Sequence, residues 1–434
     1  MTRLLIGNDF SEDVRTDRGW TGWWVQRLLW FARDGDVLVL PSAPEGEFLE
    51  YVTGLTGTHP ESLRFVTPRS AGQGGLTAQQ LADADMVEAV HAAVAELDVT
   101  EVQSLWPDAA VAQLARRIGL AHALPGYGFV EQGGGFLVNS KSFFRAVAGG
   151  VGARIPSGAV CTSRQAAERA ILDLLDLGTP VMMKHDYLSG GRGNEILSAD
   201  ETVRPVGARR TVRIGGQADV AAYLDDRWDW LSSGGRGRPV AEVYHRDSSA
   251  YFVEFFVTDA GARLGGDGEL LSAPYAVGQV MPSVGLEDEV LREMVDSARR
   301  LASALHAIGY RGVLSPDAIV TPERDVLFTE FNGRVTGSTH IYDRIGRHVV
   351  GDGFGKDRVI LERVWPEGWS VESFAAMVRR LGEAGFAYDR DSRSGVVLTN
   401  AFDGENGVMY CVVAEDLDQA WSLDSELKNV FATR

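Results

Sequence analysis

The stretch from Gly312 to Arg334 decides the fold, and it reads Gly-Val-Leu-Ser-Pro-Asp-Ala-Ile-Val-Thr-Pro-Glu-Arg-Asp-Val-Leu-Phe-Thr-Glu-Phe-Asn-Gly-Arg. Residues Val313–Val320 and Val326–Phe331 are mainly apolar, with β-branched and aromatic side chains that favour strands. Between them, Thr321–Asp325 has the polar and proline composition of a turn. The stretch therefore predicts a β-hairpin.

The register of this hairpin brings two carboxylates face to face. A hairpin that is symmetric about residues 323–324 pairs Val320 with Leu327 and Asp317 with Glu330. Directly opposed side chains have Cβ atoms about 4.5–5.5 Å apart, and like charges in such a pair repel. The pair is therefore costly unless one acid is protonated or a cation lies between them.

The same face of the hairpin carries further polar groups. The two-residue period of a strand places Asn332 and Arg334 on the side of Glu330. Two carboxylates and an amide oxygen are ligands that suit Mg²⁺, which completes its octahedron with water and phosphate oxygens. We therefore predict that Asp317, Glu330 and Asn332 bind metal. The alternative is an exposed hairpin with a solvated charged face.

The composition is that of an ordinary globular protein with a sizeable core. The chain has 434 residues, 45% hydrophobic and 24% charged, and its length is typical of roughly three domains. Its formal net charge of −18 argues against a nucleic acid or an anionic membrane as partner. An anionic ligand must then be held by locally concentrated cations.

Targeting and redox features favour the cytoplasm. The N-terminal segment reaches an acidic residue, Asp9, too early for a signal peptide, and no 18-residue uncharged apolar run occurs. The two cysteines, Cys161 and Cys411, are far apart and predict neither a disulfide framework nor a cysteine metal site. We expect a cytoplasmic protein that does not contact a membrane.

Residues 1–138 predict a first αβ domain with a largely parallel sheet, because short apolar strands alternate with helices. The predicted strands are Leu4–Ile6, Val37–Leu40, Leu63–Val66 and Val102–Trp106. The predicted helices are Trp20–Arg33, Glu47–Leu55, Ala78–Glu96 and Asp108–Ile118.

A glycine-rich loop follows the strand Pro180–Lys184 and reads Ser189-Gly190-Gly191-Arg192-Gly193-Asn194. Glycines at this place let backbone N–H groups approach phosphate oxygens, and a lysine at the strand end adds a point charge. The segment Ser233–Gly237 repeats the pentapeptide without a preceding strand lysine. We interpret this second copy as a linker turn.

The remaining segments complete the predicted order of elements. Arg238–Tyr244 is a predicted strand with an unusual internal acid, Glu242, and a second strand spans Ser249–Thr258. The helix Leu286–Ile308 leads into the hairpin. Beyond residue 355 the pattern predicts a small α+β domain with no chemistry of its own. Its elements are the helix Trp369–Ala384, the strands Gly395–Ala401 and Gly407–Ala414, and the helix Asp416–Leu427.

Several common catalytic motifs are absent from the sequence. The eight histidines show no zinc spacing, and neither G-x-x-x-x-G-K-[ST] nor G-x-S-x-G occurs. What the chain does have is two lysines, a glycine loop, an acidic strand and an Asp…Glu-x-Asn-x-Arg hairpin, in that order. This ordered set resembles the ATP-grasp superfamily of carboxylate–amine ligases over about residues 139–350.

The resemblance implies an α/β protein in which two α+β subdomains grip ATP. The implied domains are a pre-ATP-grasp αβ domain at residues 1–138, the ATP-grasp domain at 139–354 and a small C-terminal α+β domain at 355–434. The glycine-loop subdomain would span about residues 156–245. The implied cofactors are ATP and Mg²⁺, with two ions expected.

The resemblance also implies a role for each matching residue. ATP phosphates would be bound by Lys141, Lys184 and the loop residues Ser189, Gly190, Gly191, Arg192 and Gly193. Adenine would be held by Glu242, Val243, Tyr244 and His245, largely through backbone groups. Asp317, Glu330 and Asn332 would hold the magnesium ions, and Arg334 and Lys184 would be catalytic. For the ribose, Asp247, Ser248 and Ser249 stay open, with Ser249 among the expected nucleotide contacts.

More narrowly, the whole chain is similar to the ATP-grasp peptide ligases of pheganomycin-type antibiotic biosynthesis. That likeness implies activation of a substrate carboxylate as an acylphosphate, release of ADP and phosphate, and transfer to the amine of a peptide. A ligase of another carboxylate and amine, or an inactive ATP-binding regulator, is the alternative. The acid, the amine, the peptide length and the oligomeric state, a homodimer included, stay open.

Overall fold

The computed structural model describes residues 2–8, 22–69, 74–402 and 408–432, which form three β-sheets flanked by helices. The predicted starts of a helix at Trp20 and of a strand at Gly407 lie outside the described residues. Within the described ranges, no helix is both long enough and apolar enough to span a membrane.

The N-terminal sheet has four parallel strands in the order β3-β2-β1-β4, so the predicted parallel αβ sheet is confirmed. Its strands are β1 (Thr2–Ile6), β2 (Val37–Val39), β3 (Arg64–Val66) and β4 (Val99–Ser104). The helices of this region are α1 (Gly22–Val25), α2 (Gly46–Thr56), α3 (Ala78–Ala82), α4 (Ala84–Val94), α5 (Ala109–Arg117), α6 (Tyr127–Glu131) and α7 (Gly134–Leu137).

Two of the predicted helices in this region are wrong in detail. The helix predicted over residues 78–96 is two helices, because Asp83 has an extended backbone and caps α4 by accepting from the Met86 N–H at 3.2 Å. The predicted helix 20–33 has one α-helical turn in its described part and continues as a 3₁₀-helix over Gln26–Phe31.

The second sheet has five strands in the order β5-β9-β6-β7-β8. They are β5 (Gly158–Val160), β6 (Val181–Lys184), β7 (Asn194–Ser198), β8 (Thr211–Arg213) and β9 (Val240–Val243). Apolar residues of helices α9 (Arg164–Asp176) and α10 (Gln217–Leu231) form one core with its strands, whereas the preceding helix α8 (Lys141–Gly150) packs on the third sheet. The strands β6 and β7 are an antiparallel hairpin, so the glycine-rich loop Ser189–Asn194 lies at its tip.

The third sheet is antiparallel and has eight strands in the order β14-β13-β10-β11-β12-β15-β17-β16. They are β10 (Ser249–Thr258), β11 (Gly261–Ser272), β12 (Ala276–Met281), β13 (Gly312–Val320), β14 (Val326–Asn332), β15 (Val359–Val364), β16 (Gly395–Leu398) and β17 (Met409–Ala414). The helix α11 (Asp288–Ala307) packs on its β10–β13 half, and a π-helix over Ile341–Val350 follows the hairpin.

The C-terminal segment continues this sheet. Strand β15 pairs with β12 and then with β17, and helices α12 (Phe374–Glu383) and α13 (Leu417–Phe431) accompany them. Helix α12 starts later than predicted because Ser373 caps it, accepting from the Ala376 N–H at 3.1 Å. The α+β content is confirmed, and the segment is part of the central sheet.

The hairpin β13–β14 confirms one predicted pair and corrects the other. Next to the turn, Val320 pairs with Val326, so the predicted pairing with Leu327 is wrong. A bulge at Thr329 then inserts one extra residue in β14, and beyond it Asp317 lies opposite Glu330, as predicted. The bulge thus determines that the two acids meet.

Candidate active site

A cavity of about 670 Å³ lies between the five-stranded and eight-stranded sheets. The structure brings most of the predicted site residues to its wall. They are Lys184, Ser189, Gly190, Gly191, Glu242, Val243, Tyr244, His245, Ser249, Asp317, Glu330, Asn332 and Arg334. Lys141, Arg192 and Gly193 are not in the wall, although Lys141 contacts one of the lining acids.

The paired acids of the hairpin are held in an unfavourable electrostatic state. Burial and the neighbouring charge of Glu330 raise the pKa of Asp317 well above its ordinary value. The Asn332 Nδ2 group donates to Asp317 Oδ2 at 3.0 Å, which leaves the amide oxygen of Asn332 as an acceptor. A divalent cation between these oxygens would replace the proton that otherwise relieves the repulsion.

Lys141 connects Glu330 to the glycine-rich loop. Its Nζ atom lies 2.8 Å from Glu330 Oε2 and donates to the Leu188 carbonyl at 2.6 Å, directly before Ser189. Although burial raises the pKa of Glu330, the charges of Lys141 and Lys184 lower it below the ordinary value overall. Glu330 is therefore the ionised member of the pair, and Asp317 is the member whose ionised form is disfavoured.

Lys184, at the end of β6, is positioned by Glu242 on the neighbouring strand β9. Its Nζ atom lies 2.5 Å from Glu242 Oε1 and 3.3 Å from the Thr329 carbonyl. The other oxygen of Glu242 is 2.8 Å from Arg145 Nη1, so both carboxylate oxygens are paired with cations. The Glu242 side chain therefore orients the lysine.

The predicted adenine segment 242–245 lies in the cavity wall with part of its backbone already paired. The Val243 N–H donates to the Ser157 carbonyl, and the Tyr244 N–H donates to the Pro180 carbonyl, each at 2.8 Å. An adenine contact from this segment must then come from its other backbone groups or from His245. Adenine binding by this segment stays a prediction.

Arg334 joins the hairpin to the N-terminal region. Its Nη1 atom donates to Asn139 Oδ1 at 2.5 Å, and its guanidinium lies 5.0 Å from the centre of the Trp106 ring. Burial lowers the pKa of Arg334, while the charges of Glu330 and Asp317 oppose that shift. The guanidinium is therefore fixed beside the acid pair, where it can face an anionic reacting group.

A buried acid that was not predicted from the sequence, Glu254, holds the segment that follows Arg334. Glu254 in β10 is buried and accepts from the Tyr342 hydroxyl at 2.5 Å and from the Thr336 hydroxyl at 2.7 Å. Burial raises the pKa of Glu254 to about 7. It therefore anchors the segment that follows Arg334. An acid inside an apolar strand was the available signal, the same one that drew attention to Glu242.

The site also fits a nucleotide phosphate chain with magnesium. Gly190 and Gly191 have φ values of 64° and 77°, which leave backbone groups at the surface of the loop without side-chain obstruction. A Cβ atom at Gly191 would lie 2.9 Å from the Gly207 carbonyl carbon, so this position requires glycine. Asp317, Glu330 and Asn332 are the residues that would hold the metal.

A buried acid elsewhere in the wall makes the stability depend on pH. Burial raises the pKa of Glu362 to about 8, from an ordinary value of 4.5. A carboxyl group with a raised folded-state pKa stabilises the fold below pH 4.5, and this contribution is lost as the pH rises to about 8. Glu362→Gln should therefore stabilise the protein by about 1 kcal/mol or more at pH 8.5, and much less at pH 5. Urea denaturation at the two pH values measures the difference, and an equal effect at both would contradict the assignment.

Comparisons with known proteins agree with this architecture. Residues 25–120 match the family described as the pre-ATP-grasp domain, and residues 376–427 match the PGM1 C-terminal domain. The L-propargylglycine–L-glutamate ligase of Streptantibioticus cattleyicolor is 26% identical over 373 residues, which cover 77% of this chain and 71% of that protein.

Two solved structures share the fold at low sequence identity. One is the biotin carboxylase domain of the Hydrogenobacter thermophilus 2-oxoglutarate carboxylase in complex with MgADP, ADP and bicarbonate. Its TM-score is 0.59 at 12% identity, and the match covers 99% of this chain and 90% of that chain. The other is the L-amino acid ligase of Bacillus licheniformis, with a TM-score of 0.54 at 12% identity. This match covers 99% of this chain and 97% of that chain. With a match to the pre-ATP-grasp domain near its N-terminus and a PGM1-type segment near its C-terminus, the chain has the ATP-grasp fold and is similar to the ligases named above.

Proposed function

We propose that the protein is an ATP-dependent ligase that activates a substrate carboxylate as an acylphosphate and joins it to the amine of an amino acid or peptide. The observation that carries this proposal is the meeting of the acid pair Asp317 and Glu330 with Lys184 and Arg334 in one cavity. The glycine-rich loop borders the same cavity. These are the groups that phosphoryl transfer to a carboxylate needs.

The reaction has two steps. A carboxylate oxygen of the acid attacks the γ-phosphorus of ATP, which gives the acylphosphate and ADP. The amine then attacks the acyl carbon and forms the amide, while inorganic phosphate leaves with the attacking oxygen of the first step. Mg²⁺ bound by the acid pair would neutralise charge on the transferring phosphoryl group.

The side chains of this chain mainly position and stabilise charge. Lys184, held by Glu242, would contact the phosphates, and Lys141 would couple the loop to Glu330. Arg334, fixed by Asn139, would face the acyl and phosphoryl groups. Closure of the loop 189–194 would exclude water, which otherwise hydrolyses an acylphosphate.

The relatives support amino-acid-type substrates. The similar ligase of Streptantibioticus cattleyicolor is named for two amino acids, L-propargylglycine and L-glutamate. The similar structure from Bacillus licheniformis is named an L-amino acid ligase. We therefore propose a carboxylate of amino-acid type and an amino-acid or peptide amine. A role in peptide-antibiotic biosynthesis and a cytoplasmic location complete the proposal. They rest on the resemblance and on the charge and composition of the chain.

Trapping with hydroxylamine tests this reaction class. With ATP, Mg²⁺ and the correct acid, but without the amine, hydroxylamine should intercept the acylphosphate as a hydroxamate, with ADP as the nucleotide product. A panel of amino acids and guanidino acids then identifies the acyl donor. Release of AMP and pyrophosphate would contradict the proposal, and so would ADP release that no acid stimulates.

The two glycine-rich turns offer a matched pair of variants. Gly190 and Gly234 both have a φ of 64°, and no atom would lie closer than 3.9 Å to an added Cβ at either position. Valine should therefore cost each about 1–2 kcal/mol of stability through the left-handed backbone. Only Gly190→Val should also reduce ATP turnover, by at least about tenfold, because its side chain obstructs the phosphates. Melting temperature and kcat/KM for ATP are the measurements. Equal loss of turnover in both variants would place the nucleotide elsewhere.

A further inference from the structure

A second cavity, of about 610 Å³, lies between the edge strand β4 and the ends of β10 and β13. It is separate from the cavity between the sheets, but Arg334 and Val335 line both. The Val335 N–H donates to the Leu105 carbonyl at 3.1 Å, which fixes the segment that divides them. A molecule in the second cavity would therefore approach the reacting centre past Arg334.

The second cavity is rich in cations, although the whole chain has a net charge of −18. The arginines in its wall are Arg3, Arg33, Arg263, Arg311, Arg334 and Arg344. The acids in the wall are fewer, namely Glu101, Asp259 and Asp343. Such a concentration of guanidinium groups attracts anions and repels cations.

Some of these arginines already have a carboxylate partner. The Nη2 atom of Arg3 lies 2.5 Å from Asp36 Oδ2, and the Nε atom of Arg311 lies 2.8 Å from Asp259 Oδ1. Their charges are therefore compensated inside the protein.

Three others, namely Arg33, Arg263 and Arg344, have no carboxylate at ion-pair distance in the part of the chain that the structure describes. Arg344 is 8% exposed and donates to the Trp30 carbonyl at 2.9 Å. Burial lowers the pKa of Arg344 to about 10, although the negative charge of the neighbouring Asp343 opposes this shift. Arg263 stacks on the Phe256 ring at 4.8 Å. A buried, hydrogen-bonded guanidinium without a carboxylate at ion-pair distance is stabilised when an anion binds beside it.

We infer that this cavity binds the carboxylates of the amine substrate, and that this substrate is an acidic amino acid or acidic peptide. The inference rests on the proposed ligase function and names its acceptor. The guanidinium group suits carboxylates because it forms two parallel hydrogen bonds to them. The three arginines without a carboxylate partner lie on different elements. Arg33 follows the 3₁₀-helix, Arg263 is on β11 and Arg344 is on the π-helix. Such a spread fits a molecule with several carboxylates better than a single small anion.

Calorimetric titration of the full chain tests this inference with defined probes. Tri-glutamate should bind, tri-glutamine should bind at least about tenfold more weakly, and inorganic phosphate should not displace tri-glutamate. The double variant Arg33→Gln, Arg263→Gln should weaken tri-glutamate binding about tenfold or more, because it removes two guanidinium groups that would pair with carboxylates. Both residues are exposed, so the fold should tolerate the change.

The control is Arg169→Gln, which removes an exposed arginine of α9 outside the cavity and should leave tri-glutamate binding unchanged. Equal binding of tri-glutamine, or equal tri-glutamate binding by the double variant, would overturn the inference. Displacement by inorganic phosphate would overturn it too, because the cavity would then be a general anion site.

Hydroxamate formation separates this inference from the ligase proposal, because it needs no amine substrate. Hydroxamate formation by the wild-type protein without binding of tri-glutamate would refute the acidic acceptor and leave the ligase intact. Binding of tri-glutamate without hydroxamate formation from any acid would refute the ligase proposal, and with it the acceptor role of the cavity.

Discussion

Asp317→Asn should reduce turnover by about 10³-fold or more, while the variant is at least as stable as the wild type. The amide keeps the shape of the side chain and can still accept from Asn332, but it loses the charge that attracts Mg²⁺. It also removes the repulsion from Glu330 that raises the pKa of Asp317. ADP release and melting temperature, measured on the same preparation, decide the outcome.

Glu330→Gln is the informative control because its effect on stability should have the opposite sign. Glu330 is the ion-pair partner of Lys141, whose side chain is only 5% exposed. Glutamine can still accept a hydrogen bond from Lys141, but it leaves this buried ammonium without an ionic partner, at a cost on the order of 3 kcal/mol. Both variants should lose turnover. Undiminished activity in either variant would contradict the assignment of Asp317 and Glu330 as metal ligands.

Lys184→Met should reduce turnover by about 10²–10³-fold with little loss of stability. Glu242 keeps its contact with Arg145 when the lysine is removed, so no buried carboxylate is left without a cation. The lost charge is the one that faces the cavity between the sheets. Single-turnover rates with saturating ATP separate the loss of chemistry from a loss of binding.

Arg145→Met removes the other cation of Glu242 and serves as the matched control. Arg145 does not line that cavity, and it also donates to the carbonyls of Pro156 and Gly158, each at 3.1 Å. This variant should lose stability and keep its turnover per folded molecule. If Arg145→Met lost as much turnover as Lys184→Met, the lysine would have no special role in phosphoryl transfer.

Local sequence patterns predicted the N-terminal sheet and the acid pair. The strands of residues 1–138 are short apolar runs between helices, and this alternation alone implies parallel pairing. The facing of Asp317 and Glu330 was predicted with a regular register, whereas the real hairpin reaches it through a bulge at Thr329. Bulges have no clear local signal, so the pairing of Val320 was predicted wrongly.

Long-range pairing was harder to predict. Strands β11 and β12 are not predicted from the sequence, because β11 contains several glycines and lacks clear alternation. Without β12, nothing showed that β15 would extend the central sheet and place Glu362 in the cavity wall. The C-terminal segment, which is predicted to have no chemistry of its own, therefore contributes Glu362 to the cavity wall. The ion pair of Glu242 with Arg145 joins distant segments and likewise has no local signal.

The fate of a carboxylate oxygen tests the central claim most directly. The acid identified by hydroxamate trapping is labelled with ¹⁸O in its carboxylate and converted to the amide with ATP, Mg²⁺ and the amine. Because the carboxylate oxygen attacks the γ-phosphorus and leaves with it, each inorganic phosphate released should carry one ¹⁸O atom by mass spectrometry, and ADP should carry none. Label in AMP, or unlabelled phosphate accompanying amide formation, would contradict an acylphosphate ligase.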